Sequence, residues 1–123
     1  MLKGYLIKPD QNRAEVREVT SETHLDEFYE MLKCDTIAIT GAKVDGKDFS
    51  FVCDDNGMLV EKPLISATSS DFVHGPCLVG RLFICHHKGS RLTSLTEDDI
   101  KLLKSRLCVL EYNGLENIGL ELD

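Results

Sequence analysis

Apolar positions along the chain fall into two periods. The segment SETHLDEFYEMLKC (21–34) places Leu25, Phe28, Tyr29 and Leu32 at i, i+3, i+4 and i+7, which predicts one apolar stripe on a helix. Ser21 or Thr23 can cap it, with Glu22, Asp26 and Glu27 near its positive end. SLTEDDIKLLKSRL (94–107) predicts a second helix. Thr96 is the N-cap, Asp99 stands where a capping box wants an acid, and Leu95 and Ile100 occupy staple positions. Ile100, Leu103 and Leu107 should face the core, while Lys101, Lys104 and Arg106 suit the negative end of the helix.

The remainder follows the period of a strand. KGYLIKP (3–9) and AEVREVT (14–20) read as strands joined by the turn PDQNR. TIAIT and DFSFVC flank KVDGK, and Asp-Gly is a strong two-residue hairpin signal. Residues 61–76, rich in Ser, Thr, Pro and Gly, show no period and read as a long connection. PCLVGRLFICHH is the most strand-like segment of all. Leu82 and Ile84 alternate with Phe83 and Cys85, so this strand should be central and buried on both faces, with His86 and His87 where it meets water. NIGLELD at the C-terminus alternates Ile118, Leu120 and Leu122 with smaller or acidic residues, the pattern of an added edge strand.

These elements imply an α+β fold: a mostly antiparallel, curved sheet with two packed helices in a single compact domain. Residues 1–108 would form the domain proper and 109–123 an acidic C-terminal tail. At 123 residues and 42% hydrophobic content the chain can bury a core without covalent staples. Charge sharpens the picture. The net charge is −7; residues 109–123 hold four acids and no base, leaving 17 acids against 14 bases elsewhere. A phosphate-backbone binder needs clustered Lys and Arg, so no direct nucleic-acid binding is expected. An acidic surface suits docking on a basic partner. The start MLKGYLIKPD has no long apolar run, so the reading is a cytoplasmic protein with no membrane partner, in the host cell if phage-encoded.

Candidate chemistry centres on three stretches. The first is CHH at 85–87. On a strand Cys85 and His87 share a face and His86 points to the other, so His86 cannot act as base for Cys85. Zinc needs three or four ligands, and only a set of His74, Cys77, Cys85 and His87 would supply them, by asking a connection and a strand to converge. The plainer reading has the cysteines as core residues. Five cysteines at irregular spacing contain no C-x-x-C pair, and reduced thiols acting as small hydrophobes are the default. In the second stretch, CDDNG (53–57), Asp54 and Asp55 sit beside a turn; they could hold magnesium, but the spacing of a calcium loop is absent and strand-ending turns favour these residues. The third is the acidic tail with Glu111 and Glu116. No nucleophile elbow or phosphate-cradling glycine loop occurs, so no catalytic residue and no cofactor are assigned.

The succession KGYLIKP, LDEFYEMLKCDTIAI, FSFVCDDNGMLVEKPLISA, CLVGRLFICHH and LTSLTEDDI resembles an uncharacterised domain-of-unknown-function family of Gram-positive bacteria, their phages, plasmids and conjugative elements. The likeness covers roughly residues 1–107 and rests on the D-D-x-G-x-L turn, Pro63 and the L-V-G strand. It brings no catalytic residues. It implies an accessory protein of mobile elements, sometimes near anti-restriction genes, with the tail as this member's own addition. The function expected is therefore non-enzymatic binding: a protein–protein inhibitor or adaptor acting on a host protein, such as one of a defence system, through the 61–76 segment and the tail. The alternative is a protein that binds or sequesters a small nucleotide signal, with Asp54, Asp55, Arg81 and His86 as polar contacts. The oligomeric state is left open.

Overall fold

A computed structural model describes residues 1–20, 25–56, 64–69, 77–112 and 114–123. Ten strands and two α-helices are present among them: β1 (Leu2–Lys8), β2 (Arg13–Val19), α1 (Leu25–Leu32), β3 (Ile37–Val44), β4 (Lys47–Asp54), β5 (Ile65–Ser69), β6 (Cys77–Val79), β7 (Leu82–Lys88), β8 (Arg91–Thr93), α2 (Glu97–Ser105), β9 (Leu107–Tyr112) and β10 (Leu115–Leu122). The mainly antiparallel α+β architecture is the one the sequence predicts, but the strands divide into two sheets. The larger runs β2-β1-β7-β4-β3, with β8 paired to the far end of β7; the smaller runs β6-β5-β10-β9.

β7 lies at the middle of the large sheet, antiparallel to both β1 and β4. Its alternation sends Leu82 and Ile84 into one core and Phe83 and Cys85 into another, and all four are fully buried. On the Phe83 side, α1 closes the sheet with Phe28, Met31 and Leu32. Phe28 meets Phe83 edge-on at 5.6 Å between ring centres. On the Ile84 side, Tyr5, Ile7, Phe49 and Phe51 pack against Ile100 and Leu103 of α2 and Ala67, Leu120 and Leu122 of the small sheet. The result is three layers with the large sheet in the middle, which is why its inner strands carry near-continuous apolar runs.

Two local signals hold as read, while α1 buries Met31 with Phe28 and Leu32 and leaves the predicted stripe member Leu25 exposed, and Leu107 belongs to β9 rather than to α2. Asp45 and Gly46 form the two-residue turn between β3 and β4, both at positive φ as the primed hairpin turns require. Thr96 and Asp99 make both bonds of a capping box on α2. The proposed caps Ser21 and Thr23 lie outside the described residues.

Three expectations need correction. The 61–76 connection contains β5, whose five residues ISATS are all buried; small hydroxyl residues that fit between closely packed strands carry no visible period. The single strand PCLVGRLFICHH is two: Gly80 at φ +77 turns the chain, putting β6 in the small sheet and β7 in the large one. The C-terminal strand is not at an edge. β10 runs between β5, which it joins in parallel, and β9, and buries Leu120 and Leu122; the edge position belongs to β9. Residues 109–123 are thus built into the fold. Two asparagines fasten them: Asn12 Oδ1 accepts from the Ile118 amide at 2.6 Å, and buried Asn117 donates to the Ile65 carbonyl at 2.7 Å.

Candidate functional site

The residues with chemistry gather at the two ends of β7 and on the β9–β10 hairpin. At the far end, His86 projects to the α2 side. Its Nε2 lies 2.8 Å from Asp99 Oδ2, and its ring stacks on Phe49 at 4.9 Å with 15° between planes. The Asp99 side chain has no exposed surface; Oδ2 also accepts from the Thr96 amide at 2.8 Å, and Oδ1 forms an ion pair with Lys47. Burial acts to raise the Asp99 carboxyl. Hydrogen bonds from Lys47, Thr96 and His86 outweigh it and hold the group well below the usual carboxylate range. One carboxylate thereby ties together α2, the start of β4 and the end of β7.

His87 points to the opposite side, where its Nδ1 lies 2.7 Å from Ser50 Oγ on β4. This serine–histidine contact is invisible to sequence reasoning, because it depends on the register that pairs Ser50 with Cys85. Ser50 is buried, and among the described residues no hydrogen bond orients the second nitrogen of His87, so the pair lacks there the third member that a nucleophilic site uses.

At the near end, Arg81 grips Asp10 in a two-pronged contact, Nε to Oδ1 at 3.1 Å and Nη2 to Oδ2 at 3.0 Å. Its Nη1 donates to the Met31 carbonyl at 3.1 Å, in the last turn of α1. The hydrogen bond from Arg81 is the main reason the Asp10 carboxyl sits below its ordinary range. Arg81 and His86 are five positions apart on an extended chain, about 16 Å, and face opposite ways. Both are engaged internally.

Asp54 accepts from the Asn56 amide at 2.9 Å and so makes the strand-ending turn. With Glu30 and Asp35 it borders a shallow depression of about 640 Å³ that also includes Lys33, Cys34 and Asn56. Asp55 is exposed beside it. The metal set does not assemble. His74 lies outside the described residues, Cys77 is exposed in the small sheet, and Cys85 is buried under α1 on the other face of the large one. Among the described residues no group of three potential ligands converges. Burial raises the thiols of Cys34, Cys53 and Cys108, with Asp54 adding to it at the first two, so none of these is an activated thiolate.

Glu111 and Glu116, predicted only as members of an acidic tail, are direct cross-strand partners on β9 and β10. Both are exposed. The next pair along the same face is Val109 with Ile118, and the pair after that is Leu107 with Leu120. The face that buries Leu120 therefore continues beyond the core, leaving Val109 68% exposed and ending in two carboxylates.

Among the described residues no helix is long and apolar enough to cross a membrane. No curated protein and no solved structure matches the chain. Residues 2–108, from the first residue of β1 to the second of β9, match the family described as Domain of unknown function (DUF3846), and the chain belongs to that family.

Proposed function

We propose that the chain is a non-enzymatic binding protein of a phage or mobile element, an inhibitor or adaptor that engages a basic surface on a host protein, such as a component of a defence system. The overhanging face of the β9–β10 hairpin carries this reading. Like charges directly opposite on a sheet cost stability, and among the described residues no Lys or Arg pairs with Glu111 or Glu116. A partner that brings Lys or Arg to the pair and covers Val109 and Ile118 would relieve the repulsion and bury the apolar strip at once. The engagement of Arg81, His86 and Asp99 with internal partners supports the same view, since none is left aimed at a substrate.

The nucleotide-binding alternative draws less support. Its proposed contacts Arg81 and His86 lie at opposite ends of β7, and the depression beside Asp54 is lined by three carboxylates against one lysine, which repels an anionic ligand.

Removing residues 109–123 would be a poor test, because it takes Leu120 and Leu122 from the core. The clean variant is Glu111→Lys with Glu116→Lys, compared with the unaltered chain in capture from a host lysate followed by identification of the bound proteins. One or more basic proteins captured by the chain and lost in the variant support the proposal; an identical captured set removes the hairpin from it. A thermal-shift screen against nucleotides addresses the alternative, in which a specific ligand raises the melting temperature by linkage.

A further inference from the structure

Taking the β9–β10 hairpin as the contact surface proposed above, we infer that the partner engages it by adding a strand to the free edge of β9. The added segment carries a basic residue beside Glu111 and apolar residues beside Val109 and Leu107. Backbone geometry decides which groups are available. The Arg106 carbonyl accepts from the Glu121 amide at 3.1 Å, so this pair is hydrogen-bonded across the hairpin, and in an antiparallel ladder every second residue repeats it. Cys108 and Leu110 therefore bond to β10. Val109 and Glu111 turn their amides and carbonyls to the edge, where no partner meets them among the described residues. The Ile118 amide, across from Val109, turns outward on its own side and finds Asn12 there.

Sheet edges are normally kept from pairing by shortness, bulges, proline or lysine. β6, the other edge of the small sheet, is three residues long and shifts register against β5. β9 has six residues, pairs with β10 without a break, and contains neither proline nor lysine. Its one charge is Glu111.

The side chains say what the added strand must be. Leu107, Val109 and Glu111 share the overhanging face, and on a neighbouring strand about 4.8 Å away the residues of that face lie directly beside them. Read antiparallel to β9, the partner's segment is therefore basic, apolar and apolar at alternate positions. A Lys or Arg beside Glu111 also reaches toward Glu116 on the next strand and offsets the like-charged pair from outside. A second copy of β9 is the wrong occupant, because the strand has no Lys or Arg to set beside Glu111 in any register. Main-chain bonds would supply the affinity and the alternation the selection.

Amide NMR spectra of the full, isotope-labelled chain test this, titrated with the synthetic peptide Thr-Lys-Thr-Val-Thr-Leu-Thr. Two control peptides replace its Lys by Glu, or carry N-methyl groups on the Lys and Val amides that would bond to β9. The parent peptide should move the Val109 and Glu111 amide signals and slow their hydrogen exchange, and neither control should. Glu111→Lys with Glu116→Lys should weaken binding at least about tenfold. No change at Val109 and Glu111 with millimolar parent peptide overturns strand addition, as does an N-methylated peptide that binds equally well. In both cases capture from a host lysate still judges the hairpin as a contact surface. Equal binding by the double variant overturns the acidic pair's role in both. Shifts at Val109 and Glu111 that grow with protein concentration alone reveal a second copy on the edge and overturn the basic partner strand.

Discussion

His86 and Asp99 join the end of the central strand to the first turn of α2, with imidazole Nε2 2.8 Å from carboxylate Oδ2. Because the same carboxylate caps α2 and holds Lys47, Asp99→Ala removes three attachments and leaves polar groups in half-buried surroundings. The expected loss is about 3 kcal/mol, read from the urea midpoint at neutral pH. Asp99→Asn keeps the shape and part of the capping, and should lose less.

The same residue dictates a response to acid. Its folded-state carboxyl lies well below the unfolded value, so its stabilisation is complete above about pH 5 and drains away as pH falls through and below the unfolded carboxylate range near 4. Asp10 and Asp123 are shifted in the same direction, Asp10 mainly by Arg81 and Asp123 mainly by the Gly46 amide. Urea midpoints measured from pH 6 down to pH 2 should fall for the unaltered chain and fall less steeply for Asp99→Asn. Parallel curves would show that Asp99 carries no such linkage.

Arg81 offers a test of geometry rather than charge. Its guanidinium spans both Asp10 oxygens and still reaches the Met31 carbonyl, which an ammonium cannot imitate. Arg81→Lys should therefore lose nearly as much stability as Arg81→Ala, about 1–2 kcal/mol after allowing for the partial exposure of Asp10. A double-mutant cycle with Asp10→Ala isolates the pair.

Gly4 lies directly beneath Phe83. A Cβ there would stand 2.3 Å from Phe83 Cζ and 2.5 Å from the Ile84 carbonyl oxygen, and the second of these is backbone that cannot swing aside. Gly4→Ala should cost about 3 kcal/mol, seen as a lowered melting temperature, whereas alanine at Gly41 on the open edge meets nothing closer than 3.7 Å and should fold normally.

How far the sequence led depends on what each signal encodes. The Asp45–Gly46 turn and the Thr96–Asp99 box are local, and each appears in the structure as its residues predict. The α1 helix forms as its period predicts, but its buried face is turned: Met31 joins Phe28 and Leu32 in the core while Leu25 is exposed, because the sheet it packs on decides which side is covered. The two-faced burial of Leu82–Cys85 was equally legible, because alternation records which way side chains point. Alternation does not record which strand lies alongside. The division into two sheets, the inner place of β10, the Ser50–His87 contact and the Glu111–Glu116 pair all depend on pairings between distant segments. Arg81 and His86 looked available for a ligand for the same reason: Asp10 lies 71 residues from the first and Asp99 13 from the second. β5 was hidden by its composition, since Ser, Ala and Thr leave no apolar rhythm.

The placement of β7 also orders events in time. β1–β2 and β3–β4 are hairpins of near neighbours in sequence, yet within the large sheet they are joined only through β7, which pairs Ile84 with Tyr5 on one side and Phe51 on the other. Each hairpin can close within microseconds, but the long loops that bring β7 between them must be closed before the sheet exists. The folding barrier belongs to the insertion of LFIC. Truncations such as Ile84→Val should slow refolding almost in proportion to the stability they remove, while changes at the Asp45–Gly46 turn should mainly alter how fast the finished sheet comes apart.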